Sequence, residues 1–175
     1  KIAQKKYNCD LIFVPGSTFL GSFKNIVSLS QNMLPFEKDE RNRFTRWQDK
    51  LRFKILFYTQ KHTFKKSKAV VFLTQYAKNQ VSKTVKLPKD IAIIPHGVNP
   101  NFTFPPKHQY PIQNYTFQNP FKLLYVSIVT VYKHQWNVAK AVLKLRSEGY
   151  PVQLDLVGGY TPESLTKLQD VMIND

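Results

Sequence analysis

The chain contains a single cysteine, Cys9, so an intrachain disulfide framework is excluded and a cysteine-based zinc site has too few ligands. That scarcity fits a reducing compartment. No apolar run reaches the ~18 residues that a membrane-spanning helix requires. There is no glycine-rich phosphate loop of the Walker kind and no G-x-G-x-x-G fingerprint, so NTP hydrolysis and dinucleotide binding have no support. The four histidines, His62, His96, His108 and His134, lack the spacing of a zinc site. No carboxylate lies between Asp90 and Glu148, which leaves a paired-carboxylate hydrolase without local acids. Neither a charged-then-apolar leader at Lys1 nor a tail at Asp175 is visible. Both ends read as cut from a longer polypeptide. Two sequons, at Asn101 and Asn114, are taken as chance matches.

What is present is positive charge. The 175 residues carry a net charge of +15, with 26 Lys and Arg against 11 acids. Fifteen of those cations fall between Lys38 and Lys89, where Asp39, Glu40 and Asp49 are the acids, so this block supplies +12 of the total. Such asymmetry points to an anionic partner, whether nucleic acid, acidic lipid or a phosphorylated substrate, or else to a solvated basic face. Hydrophobic content of 42% is enough for a buried core, in one domain or two small ones.

Strand and helix signals alternate along the chain. Leu11–Val14 runs into Pro15-Gly16 as a buried parallel strand, and Ile26–Ser30, Ala69–Leu73 and Ile91–Ile94 follow as further strands. Phe44, Trp47, Leu51, Ile55 and Tyr58 recur at three and four, which predicts a long helix over 40–61. Thr74 is placed as an N-cap for the next helix. Six of the eleven prolines lie between Pro95 and Pro120, so no regular element is expected there. Beyond them come a strand at Lys122–Ser127, a helix at Gln135–Glu148 stopped by Gly149, and a strand at Val152–Val157. A final helix has Pro162 at its first position. The pattern predicts an α/β protein: two partial Rossmann-like parallel-sheet units, 1–95 and 121–175, joined by a proline-rich linker at 96–120.

The candidate chemistry sits at strand ends. Leu123 to Lys140 reads as strand, turn and helix, with Lys133 in the turn. A strand's carboxyl end meeting a helix's amino end gathers free N–H groups and the positive end of the helix dipole, and a lysine adds a mobile charge. Lys133 is therefore read as a diphosphate contact, or as an ordinary loop lysine. His96, in Pro95-His96-Gly97, either faces a ligand beside a sharp glycine turn or bonds nearby backbone. Ser17 and Thr18, after Gly16, either touch a ligand or cap the following segment. The basic 40–61 helix has three readings. It is a plain packed helix, an interfacial helix seating Phe44, Trp47, Phe53 and Phe57 in lipid, or a nucleic-acid element without any accompanying reading module.

Taken in order, Phe72-Leu-Thr74, Ile94-Pro-His-Gly-Val-Asn-Pro-Asn-Phe102, Leu124-Tyr-Val-Ser-Ile128, Lys133 and Leu156-Val-Gly158 resemble the central part of the large "family four" group of retaining glycosyltransferases. Asp10 to Gly16 and Val27 to Phe36 are similar to late strands of that family's acceptor-binding domain. The resemblance touches nearly the whole chain. It implies a B-type glycosyltransferase fold and transfer of a sugar from a nucleotide diphosphate donor with retention. No metal or other cofactor is implied. Lys133 would hold the donor diphosphate, Ser127 would replace the usual glycine ending that strand, and Gly158 would border the nucleotide pocket. His96 and Gly97 match a loop facing the cleft. Gly16, Ser17, Gln31 and Asn32 fall on the acceptor side, the last two where many relatives carry His-Asp.

The departures are specific. The family's arginine five residues before the lysine is Ile128 here, and its Lys-Gly is Lys133-His134. Neither the downstream glutamate pair nor the glycine-rich amino-terminal loop occurs in these residues, so these residues alone are expected to be inactive. The partners implied are a nucleotide-sugar donor, a glycan or lipid-linked acceptor and an anionic membrane surface, with nucleic acid disfavoured. The expected setting is the inner face of the plasma membrane, in synthesis of a surface polysaccharide. The competing expectation is a non-catalytic basic module for nucleic acid or an anionic surface.

Overall fold

A computed structural model describes residues 7–173; the first six residues of the predicted amino-terminal unit and the last two of the carboxyl-terminal one lie outside them. The chain divides into two compact units, Lys1–Thr103 and Phe104–Asp175, and the division falls inside the proline-rich segment. That segment holds two single 3-10 turns, Pro100–Phe102 and Ile112–Asn114. Residues 96–111 are exposed throughout.

The first unit is a four-stranded sheet, β1 (Ile12–Val14), β2 (Ile26–Ser30), β3 (Ala69–Phe72) and β4 (Asp90–Ile93), all parallel and in sequence order. Among the described residues three α-helices accompany it: α1 (Lys38–Asn42), α2 (Trp47–Lys66) and α3 (Gln75–Ser82). Successive strand residues alternate between faces, and here only one face is fully covered. Phe64 of α2 and Ala77 and Val81 of α3 pack with Val70 and Phe72, joined by Val85. Burying a side chain of this size contributes about 1.5–3 kcal/mol relative to exposure. On the other face Val27, Leu29 and Val71 are half-buried and Phe13 is exposed. The expectation of a fully buried first strand is therefore corrected: β1 buries Val14 and leaves Phe13 exposed, as is Leu11 just before the strand.

Small polar side chains let α2 approach the sheet closely. The Ser28 and Ser67 hydroxyls are paired at 2.9 Å, and Ser67 Oγ donates to the Thr63 carbonyl at 2.8 Å. Thr63 Oγ1 in turn accepts the Phe19 N–H at 2.8 Å, tying the β1–β2 connection to the helix. Each of these buried groups thus has the partner that its burial demands.

The single helix expected over 40–61 is two. α1 ends at Asn42, and after residues 43–46 α2 begins at Trp47. Phe44, in the break, lays its ring on Phe53 at a centroid distance of 4.8 Å. The face expected to pack is also reversed. Trp47, Leu51, Ile55 and Tyr58 are exposed, while Phe53, Gln60, Thr63 and Phe64 are the buried residues of α2. Phe57 is partly buried between the Phe36 ring and the Arg41 guanidinium, 5.3 and 5.5 Å away. Of the four side chains assigned to lipid, then, only Trp47 is mostly exposed.

The second unit pairs β5 (Phe121–Val126) with β6 (Val152–Val157) in parallel, beside α4 (Gln135–Ser147) and α5 (Pro162–Ile173). Its core joins Val129, Ala139 and Leu168, with Trp136, Leu154, Leu156 and Val171 packed around them. The end of α4 is closed by Gly149 at φ +90°. Gly149 N–H donates to the Arg146 carbonyl and Tyr150 N–H to the Leu145 carbonyl, both at 3.0 Å, which is the Schellman arrangement glycine favours.

Candidate functional site

The loop between β5 and α4 is fixed at several points before it reaches Lys133. Ser127 N–H donates to the Val157 carbonyl at 2.9 Å and Val129 N–H to the Gly159 carbonyl at 2.8 Å. Thr161 N–H reaches the Val129 carbonyl at 3.0 Å, so the loops after β5 and β6 hold one another. Gln135, the first residue of α4 and 1% exposed, donates from Nε2 to the Ile128 carbonyl at 2.9 Å. The chain then makes a turn in which Lys133 N–H donates to the Thr130 carbonyl at 3.1 Å. The Tyr125 hydroxyl donates to the Lys133 carbonyl at 3.2 Å.

Lys133 is exposed, with Nζ 5.5 Å from the Tyr132 ring centroid. The His134 side chain makes no capping bond to the amino end of α4, and the first turn of the helix contains no acid. Asn137 N–H donates to the His134 carbonyl at 2.9 Å, and by helix geometry the N–H groups ahead of it lack intrahelical acceptors and carry the positive end of the dipole. His134, just before the helix, holds the left-handed conformation at φ 56°. The arrangement offers an anion one mobile cation and one helix amino end.

Gly158 belongs to the same place. It stands at φ +146°, and a side-chain carbon there would collide with the Ser127 carbonyl. Glycine is required by backbone packing at this point. Two oxygens in the loop are buried without a partner among the described groups, Thr130 Oγ1 and Gln135 Oε1. Such a group costs about 1–3 kcal/mol when left unsatisfied. Sequence reasoning passed over Gln135, Thr130 and Tyr125. The available signal was a polar pair, Thr130 and Gln135, flanking the turn after an apolar run.

In the first unit, the remaining predicted residues follow the carboxyl ends of strands in one parallel sheet: Gly16 and Ser17 after β1, Gln31 and Asn32 after β2, His96 and Gly97 after β4. They differ in availability. Ser17 is 1% exposed, takes the left-handed conformation at φ 57°, and donates its hydroxyl to the Leu29 carbonyl. Its side chain is occupied in holding the turn. Asn32 Oδ1 accepts the Leu34 N–H at 3.1 Å, capping the 3-10 turn Leu34–Phe36. Gln31, His96 and Gly97 are exposed. The sharp glycine turn expected at Gly97 is absent, because Gly97 has neither a positive φ nor a crowded α-carbon. Gly16 is equally open; the left-handed residue of that turn is Ser17.

Among the described residues, no group of three or more His, Cys, Asp or Glu is placed to hold a metal ion. No family model matches this chain, and no curated protein matches it either.

Proposed function

We propose that this chain is the central part of a retaining glycosyltransferase, which moves a sugar from a nucleotide diphosphate donor to a glycan or lipid-linked acceptor. The observation that carries the reading is Lys133, exposed in a pinned turn at the acid-free amino end of α4. There its ammonium and the helix amides would hold the donor diphosphate. As the glycosidic bond to the diphosphate breaks, negative charge grows on the leaving oxygen, and a cation beside it stabilises it more than it stabilises the ground state.

Two backbone features support the same reading. His134 occupies a left-handed conformation, the geometry that the Lys-Gly of the resembling family suits. Gly158 meets the Ser127 carbonyl too closely for any side chain, which fits a backbone wall beside a nucleotide. Ile128 stands where a second phosphate-binding cation is usual, so Lys133 would carry the diphosphate with the helix alone. Acceptor binding at Gln31, a cleft-facing loop at His96 and Gly97, and a place at the inner membrane face in surface polysaccharide synthesis belong to the same proposal.

The test is a thermal-shift titration with UDP, GDP, ADP and a random DNA duplex, on the chain and on Lys133→Ala. A ligand bound only by the folded state raises its stability with occupancy. Stabilisation by one nucleoside diphosphate, lost in Lys133→Ala, is the expected result and names the base. The +12 block at 38–89 favours a second reading, a basic module for nucleic acid. A response to DNA alone, fading with salt and indifferent to Lys133, would replace the first reading with the second.

A further inference from the structure

We propose that the outward face of α2 docks on the surface of an anionic lipid bilayer. Trp47, Leu51, Ile55 and Tyr58 are 68%, 48%, 54% and 59% exposed. Spaced by four, four and three residues, they form one stripe. The stripe runs on the side of α2 away from Phe53, Gln60 and Phe64, which seat the helix on its own unit. Trp47, Leu51 and Ile55 border an apolar groove of about 350 Å³ with Arg52 and Leu56. The helix therefore has two apolar faces, and one of them is satisfied within the described residues.

The charges around the second face say what covers it. Helical spacing puts Lys50 and Lys54 along one margin of the stripe and Arg52 along the other, and all three are exposed. None takes part in an ion pair described for this chain. Asp49, the one acid of α2, is half-buried and falls on the opposite side. An apolar stripe edged by unneutralised cations, with Trp and Tyr in it, matches a bilayer interface, where acyl chains meet anionic headgroups. A nucleic-acid backbone would satisfy the cations and leave the apolar stripe in water. No helix among the described residues is long and apolar enough to cross a membrane, so α2 would lie in the plane of the surface. The inference rests on α2 alone and does not need the donor site at Lys133.

The experiment is flotation with vesicles of phosphatidylcholine, alone or mixed two to one with phosphatidylglycerol. In a Trp136→Phe background Trp47 is the one tryptophan, and its emission reports the depth of the stripe. Binding to the mixed vesicles should exceed binding to the neutral ones by about tenfold or more, since each cation near such a surface contributes about fivefold. Trp47 emission should shift to the blue and be quenched by brominated lipid. Leu51→Asp with Ile55→Asp should lower binding about tenfold at an unchanged thermal midpoint. Lys50→Gln with Lys54→Gln should erase most of the preference for phosphatidylglycerol.

Equal binding to both vesicles would overturn the proposal. So would an unshifted Trp47 signal on bound vesicles, or tighter binding to a DNA duplex than to the mixed vesicles. The Trp47 measurement decides the matter even if the double aspartate variant does not fold. Lys133→Ala should leave flotation intact, so a failed donor reading and a failed membrane reading give different patterns.

Discussion

The Tyr125 hydroxyl and the Lys133 carbonyl, 3.2 Å apart, join the carboxyl end of a strand to the turn that presents the proposed phosphate-binding lysine. The bond orients backbone and leaves the lysine side chain free to move. Removing it in Tyr125→Phe should cost about 1 kcal/mol at most, the net worth of one hydrogen bond near the surface. The unit should stay folded while nucleoside diphosphate affinity falls severalfold, a change that isothermal titration calorimetry can resolve. An unaltered affinity would mean that the turn is held without Tyr125.

Glycine positions separate sharply. Gly158→Ala forces a side chain into the Ser127 carbonyl from a backbone conformation that L-residues rarely adopt. The combined strain should cost about 3 kcal/mol, read as a lowered denaturant midpoint. Gly97→Ala and Gly16→Ala meet open space without a positive φ. Both should shift stability by less than about 0.5 kcal/mol.

His134 offers a test of the local conformation. At φ 56° a β-branched residue is strongly disfavoured, and His134→Val should cost about 1–2 kcal/mol. His134→Gly relieves that strain and adds flexibility to the unfolded chain, two effects of similar size. It also gives up the His134 ring contact with Trp136 at 5.4 Å, so it should cost less than His134→Val and should retain nucleotide binding. Chemical denaturation of the two variants gives the comparison directly.

Much of the local structure was legible from residue types alone. Thr74 caps α3 with its hydroxyl, accepting the Ala77 N–H at 3.1 Å. Pro162 opens α5 and Gly149 closes α4. These signals are local, since a cap or a stop depends on a few neighbouring residues. Direction was harder. The spacing of Trp47, Leu51, Ile55 and Tyr58 announces a helix, yet Phe53, Phe57, Gln60 and Phe64 repeat with the same period on the other side. Period alone cannot say which face meets the sheet. That choice is made by tertiary partners distant in sequence, among them Ser28 against Ser67 and Phe19 against Thr63. The positive φ at Ser17 rather than Gly16 was hidden for a related reason: a buried hydrogen bond to Leu29 holds the less favoured residue in place.

The two faces of α2 should therefore answer differently to truncation. Phe64 is fully buried, packed with Phe72, Val70 and Val81. Phe64→Ala removes its transfer free energy and leaves a cavity, at a cost of about 3–5 kcal/mol. Leu51 and Ile55, though equally hydrophobic, already stand about half in water. Replacing both by serine should change the unfolding free energy by less than about 1 kcal/mol, mostly through helix propensity. Equilibrium denaturation of the three proteins measures this directly. A loss of several kcal/mol from the serine pair would mean that the outward stripe is covered within the folded chain, and would remove the free surface on which membrane docking depends.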